Sequence, residues 1–225
     1  MKRFLVMSTV LCCSMVCFGQ PVGIFTDQVS VGSDAGAGTA TFQNGVYQIE
    51  GSGNDIWGVP DGFYWIYKEI TGDFTATATV EWLTGVDTGD EWKKAGILAR
   101  NTADDPSRDD GEYACAAIIR GNLSNFFTRQ DPGSEEDTFY NGSEDLSIVN
   151  NIIQLKRVGN TFTMSRGLVA GGFMELASKE IIMLDKIVVG LEVTSHDTSA
   201  IEQAQFSDVD ITQTPTSITD FAIYE

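Results

Sequence analysis

Apolar and polar residues alternate with a period of two along much of this chain. In Phe74-Thr75-Ala76-Thr77-Ala78-Thr79-Val80-Glu81-Trp82 every even position is apolar and every odd one is Thr or Glu. Successive side chains of a strand point to opposite faces, so the pattern predicts a half-buried antiparallel strand; a helix would scatter it. Phe63, Trp65 and Tyr67 alternate with Tyr64 and Ile66 in the same manner. Ala95–Ala99 and Ala114–Ile119 are apolar throughout, as central strands covered on both faces are. Asn44-Gly45 between two short strands over 39–49 signals a type I′ hairpin, and Val158-Gly159-Asn160 signals another between Ile152–Arg157 and Thr161–Arg166. Ile187–Ser195 and Ala204–Thr212 complete the set. No helical period runs beyond two turns. Roughly a dozen short strands separated by turn residues predict an all-β sandwich or jelly roll.

The first nineteen residues break this pattern. Lys2 and Arg3 precede a mostly apolar run, Phe4–Phe18, and Cys17 and Gly19 are small residues placed for cleavage after Gly19. The expectation is a signal peptide over residues 1–19 and a single domain over 20–225, secreted or periplasmic. Ser14-Met15-Val16-Cys17 fits a lipid-anchoring site poorly. No later run is long and apolar enough to serve as a transmembrane segment. Cleavage also removes Cys12, Cys13 and Cys17, leaving Cys115, which has no partner for an internal disulfide. The fold must therefore stand on its core, and about two hundred residues suffice for one sandwich. Cys115 lies in an apolar run and is expected to be buried and inert.

Charge narrows the partners. Loss of Lys2 and Arg3 takes the formal charge from −18 to −20. That argues against nucleic acid and anionic membranes as partners, since both attract Lys/Arg clusters. It permits cations. One histidine and one remaining cysteine exclude a thiolate or imidazole metal site. Calcium takes carboxylate and carbonyl oxygens from loops. Asp87, Asp90 and Glu91 in one acidic loop, and Asp104, Asp109 and Asp110 in a second, are the candidate ligands, against the alternative of solvated acidic surface. A third acidic loop spans Asp131–Asp137.

Catalytic patterns are absent. Glucanases on sandwiches of this kind carry Glu-x-Asp-x-x-Glu on one strand, and polysaccharide lyases a Gln-x-His; neither occurs here. His196, in Thr194-Ser195-His196-Asp197, reads as a turn residue. Sugar binding asks for flat aromatic faces, and Trp57, Tyr64 and Trp92 lie near turns or on the less apolar face, whereas Trp65 and Trp82 follow the core alternation. Arg100, Arg120 and Arg129 each end or follow an apolar strand. They would gather at one sheet end if those strands are neighbours, or else pair with the abundant carboxylates.

A family resemblance rests on ordered motifs. Gly51-Ser52-Gly53-Asn54-Asp55-Ile56-Trp57-Gly58, Asp61-Gly62-Phe63, Thr71-Gly72-Asp73-Phe74 and Trp92-Lys93-Lys94-Ala95-Gly96-Ile97-Leu98-Ala99-Arg100 resemble the signature of the concanavalin A-like family labelled "regulation of enolase protein 1". Arg157-Val158-Gly159-Asn160-Thr161-Phe162, Val189–His196 and Ala204–Val209 are similar to its later strands. Ile153 and Gly171-Gly172-Phe173 stand where the family often has tryptophan. The resemblance implies a concanavalin A-like jelly roll of two antiparallel sheets. The combined expectation is a secreted, non-catalytic β-sandwich binding carbohydrate, such as a glycan or cell-surface glycoconjugate. The alternatives are a polysaccharide-acting enzyme, lyase or glycoside hydrolase, with an unrecognised site, and an envelope structural or adhesion protein.

Overall fold

The period-two segments become strands at nearly the expected boundaries. The computed structural model describes residues 20–101, 105–132, 137–141 and 148–214. The expected signal peptide, Asp104 and most of the third acidic loop lie outside the described residues. Fourteen strands follow in order: β1 (Asp27–Val31), β2 (Thr39–Gln43), β3 (Val46–Gly51), β4 (Phe63–Thr71), β5 (Phe74–Trp82), β6 (Lys94–Arg100), β7 (Tyr113–Ile118), β8 (Ser124–Arg129), β9 (Asp137–Asn141), β10 (Ile148–Val158), β11 (Thr161–Leu168), β12 (Phe173–Glu180), β13 (Lys186–Thr194) and β14 (Glu202–Gln213). The first sheet runs β1-β4-β13-β6-β7-β8-β9 and the second β12-β11-β10-β5-β14-β3-β2, with every pairing antiparallel. The helical content of the described residues is one 3-10 turn, Arg120–Asn122, and no helix there is long and apolar enough to cross a membrane.

Turn chemistry sets the registers. Asn44 and Gly45 have φ of 53° and 83°, the left-handed pair that a type I′ turn requires, and Gln43 pairs with Val46 across it. Strand β5 shows the burial that its alternation predicts: Phe74, Ala76, Ala78, Val80 and Trp82 are buried, while the Thr positions between them are not.

The main core lies between the sheets, where Ile66, Ile97, Ala116, Phe126 and Leu191 of the first meet Ala78, Val80, Leu155, Phe162 and Phe206 of the second. A second apolar cluster covers the outer face of the first sheet and contains Ile56, Phe63, Trp65, Leu98, Tyr113, Cys115 and Phe127. This explains why β6 and β7 are buried along their whole length. One face packs on the core. The other lies under residues 51–62, the connection from β3 to β4. Trp65 and Trp82 are buried, and so is Cys115, whose thiol burial pushes well above its ordinary pKa. Such a thiol is shielded and protonated, hence inert.

Candidate functional site

The residues that build the site are held by the 51–62 connection. Gly53 has φ 147°, and a Cβ there would stand 2.0 Å from the Gly62 carbonyl oxygen, so the two ends of the connection touch only because this position is glycine. Thr194 at the end of β13 donates its hydroxyl to Gly62 O at 2.8 Å, and Gly53 N donates to Ser195 Oγ at 3.2 Å. The connection is pinned from beneath by charge. Asp61, fully buried, accepts from Arg100 Nη2 at 2.9 Å and from Arg129 Nη1 and Nη2 at 2.9 and 2.8 Å. Arg129 also donates to the carbonyls of Trp57 and Gly58, at 3.1 and 2.7 Å. Strands β6 and β8 thus reach through Asp61 to fix the segment that carries Trp57.

At the Lys94 end of β6 is a cleft of about 300 Å³ lined by Asp55, Trp57, Trp92, Lys94 and His196. Strand geometry sorts the Trp92-Lys93-Lys94 run. Neighbouring side chains face opposite ways. Lys93 goes to Glu202 at 3.0 Å and over the Trp82 ring at 4.3 Å, while Lys94 goes to the other side, pairing with Asp55 Oδ1 and donating to Trp92 O at 3.0 Å. His196, at φ 55°, sits between two carboxylates. Its Nε2 is 3.2 Å from Asp55 Oδ2, and its Nδ1 is 2.9 Å from Asp90 Oδ1, an ion-pair distance without hydrogen-bond alignment. Asp90 Oδ1 also accepts from Trp92 N at 2.8 Å. One carboxylate therefore positions both the histidine and the tryptophan loop.

Electrostatics follow from this packing. Burial would push the Asp55 carboxyl up, but the His196 hydrogen bond and the Lys94 ammonium together hold it below its ordinary range. The Asp55 hydrogen bond in turn raises His196 above its ordinary value. Beneath Lys94, on the same face of the sheet, lies Glu192 of β13. It is fully buried, and burial pushes its carboxyl up to about 8 against the pull of Lys94. Its Oε1 is 3.8 Å from Cys115 Sγ, and its Oε2 has no hydrogen-bond partner among the described residues. Burial and counter-charge thus drive the proton affinities of Glu192 and Asp55 in opposite directions.

The structure brings Trp57 and Trp92 together across the cleft, 37% and 38% exposed. It places the four other expected ligand residues outside this cleft. Tyr64 turns into the inter-sheet core, where its hydroxyl bonds Gln28 Oε1, because β4 is covered on both faces. Arg100 and Arg129 do cluster, but around Asp61 and fully buried, since the 51–62 connection closes over them. Arg120 is half exposed at the other end of the sheet from Arg100 and Arg129, near Trp92 and 3.9 Å from Glu91.

Among the described residues, no three or more His, Cys, Asp or Glu side chains gather as a metal site. Asp87 and Glu91 stand exposed, Asp90 faces His196 and Asp110 pairs with Arg108. The Asp109 main-chain carbonyl accepts from Asp61 N at 2.7 Å. Asp104 lies outside the described residues. Sequence reasoning passed over Asp55, Lys94 and Glu192 and set His196 aside. The position of Asp55 within the Gly51–Gly58 motif and of Lys94 beside Trp92 was the available signal.

With the fold and cleft defined, comparison with known proteins supports the architecture. No family model matches the chain, and no curated protein does either. Solved structures do. A functionally unknown protein from Saccharomyces cerevisiae superposes with TM-score 0.57 at 13% identity, over 78% of this chain and 92% of that one. A mutant of the GH43 protein BlXynB from Bacillus licheniformis gives TM-score 0.53 at 8% identity, over 76% of this chain but 34% of its own. A legume lectin-like domain from Entamoeba histolytica gives TM-score 0.51 at 7% identity, over 83% and 97%. These likenesses define the fold: a two-sheet antiparallel jelly-roll sandwich of the kind seen in the legume lectin-like domain. At such identities they define the fold alone.

Proposed function

We propose that this protein is a secreted, non-catalytic carbohydrate-binding sandwich that seats a sugar between Trp57 and Trp92. The observation that carries the reading is that pair of half-exposed indoles facing one cleft above a polar floor of Asp55, Lys94 and His196. Indole faces cover the apolar face of a pyranose, and the floor groups meet its hydroxyls. The lectin-like Entamoeba neighbour agrees with such a use of the fold. Absence of catalysis is supported by the full burial of Glu192 beneath Lys94, out of reach of a ligand in the cleft. Export is supported by the basic-apolar-small order of residues 1–19. The motif order from Gly51 to Arg100 supports a place in the "regulation of enolase protein 1" family.

A glycan array followed by calorimetry tests this. Trp57→Ala is expected to weaken the best array ligand by about tenfold or more, the equivalent of ~1.4 kcal/mol lost with one stacking face. Unchanged affinity in Trp57→Ala would remove the cleft from consideration. One observation favours a second reading, a polysaccharide-acting enzyme: Asp55 and Glu192 are two carboxyls whose environments drive their proton affinities apart. Release of new chain ends from polysaccharide by purified protein would establish it. Silence in both assays would leave an envelope structural or adhesion role.

Calcium binding by the acidic loops is a separate proposal. Calcium at about 1 mM is expected to raise the melting temperature more than sodium chloride at matched ionic strength, and equal effects would leave these loops a solvated acidic surface. A calcium-specific increase, abolished in Asp90→Ala or Asp109→Ala, would establish a site there.

A further inference from the structure

The cleft between Trp57 and Trp92 has a neighbour. Trp92 is also a wall of a second cleft, of about 310 Å³, lined with Asp87, Glu91, Ile119, Arg120, Gly121 and Leu123. The main chain of Trp92 is held in place. Its backbone N–H donates to Asp90 at 2.8 Å and its carbonyl accepts from Lys94 Nζ at 3.0 Å, so both sides of residue 92 are tied down while the indole stays 38% exposed. The far wall is tied to the same loop: Gly121 N donates to Val86 O at 2.9 Å, and Arg120 Nη1 to Gly89 O at 3.2 Å. Leu123 stands 39% exposed as an apolar contact on that side. Each cleft alone is at the small end of ligand pockets; taken together they double the room.

We infer that the two clefts are adjoining subsites of one groove, divided by Trp92, and that the ligand is a neutral oligosaccharide of at least two residues. This rests on the carbohydrate-binding reading of the first cleft. Charge selects the class. Each cation along the groove already faces a carboxylate: Lys94 faces Asp55, His196 faces Asp55 and Asp90, and Arg120 faces Glu91. A uronate or sulfated sugar would bring its anion to a surface with no unengaged cation and with Asp87 beside it. Sugar hydroxyls, by contrast, can donate to Asp87 and Glu91, which stand exposed at the second subsite.

The test is titration of the full chain with neutral gluco-, xylo- and manno-oligosaccharides of one to six residues, alongside oligogalacturonates. Affinity is expected to rise at least tenfold from one residue to four, then level off, with the galacturonates weaker throughout. Leu123→Ala is expected to weaken the four-residue ligand by about fivefold, one lost apolar contact, and to leave the single sugar within twofold. Glu91→Gln, an exposed and near-isosteric change, should act in the same direction through the lost acceptor charge. Trp57→Ala should weaken both lengths. If single sugars bind as tightly as tetramers and Leu123→Ala and Glu91→Gln change neither, the second subsite is wrong while the first cleft stands. Tighter binding of galacturonates overturns the ligand class. If none of the neutral series binds, the carbohydrate reading and this inference both fall.

Discussion

Asp61→Ala is expected to cost on the order of 3–5 kcal/mol or more and to leave the protein largely unfolded near physiological temperature. The side chains of Asp61, Arg100 and Arg129 are all completely buried, and the single carboxylate accepts three hydrogen bonds from the two guanidinium groups. Removing it leaves two cations without water and without their counter-ion. That is far more costly than deleting an exposed ion pair, because a buried charge has no solvent to fall back on. The damage would reach the cleft as well. Arg129 holds the carbonyls of Trp57 and Gly58 in the same arrangement, so any folded fraction should have a displaced Trp57 even though residue 61 does not line the cleft. Chemical denaturation read by tryptophan fluorescence and circular dichroism checks this. A midpoint within about 0.5 kcal/mol of the parent would show that the cluster does not hold the 51–62 connection.

Glu192→Gln is expected to act in the opposite direction, and only at higher pH. In the folded protein Glu192 keeps its proton up to about pH 8, while the unfolded chain releases it near the ordinary value of 4.5. Between those values the unfolded state binds fewer protons than the native one, so stability falls as pH rises. Complete ionisation of the unfolded chain across this window amounts to at most ~5 kcal/mol, and about 3 kcal/mol is a reasonable share by pH 7. Glutamine keeps the shape and never ionises. The variant should therefore match the parent near pH 4 and exceed it by roughly 3 kcal/mol near pH 7–8. His196 adds a slope of the same sign, because its raised folded pKa stabilises below the ordinary histidine value and is lost as pH rises through the folded one. That part is common to both proteins, so the difference between them isolates Glu192. Lys94, Asp55 and Cys115 all act on this carboxyl and remain in the variant. Stability curves running parallel from pH 4 to pH 8 would show that Glu192 is ionised in the folded state.

The sequence by itself determined most of the strands, two of the hairpins and the class of fold. The alternation in Phe74–Trp82 specified β5 residue for residue, because a half-buried strand must turn every second side chain inward. Asn44-Gly45 specified a hairpin because few other residues accept two left-handed positions in succession. The unbroken apolar runs of β6 and β7 correctly announced strands covered on both faces. They did not say what lay over the second face, and that gap is where sequence reading of the site ended. The cover is the 51–62 connection, and its presence decides that Arg100 and Arg129 are buried ties to Asp61 and not surface ligands. It also places Asp55 against Lys94 and His196, residues from three segments of the chain that no local spacing links. The raised proton affinity of Glu192 is likewise a property of the assembled sheet. Period-two patterning tells which side chains share a face, but the charge state of a carboxyl depends on how much water and which counter-charges remain once another segment has closed over that face.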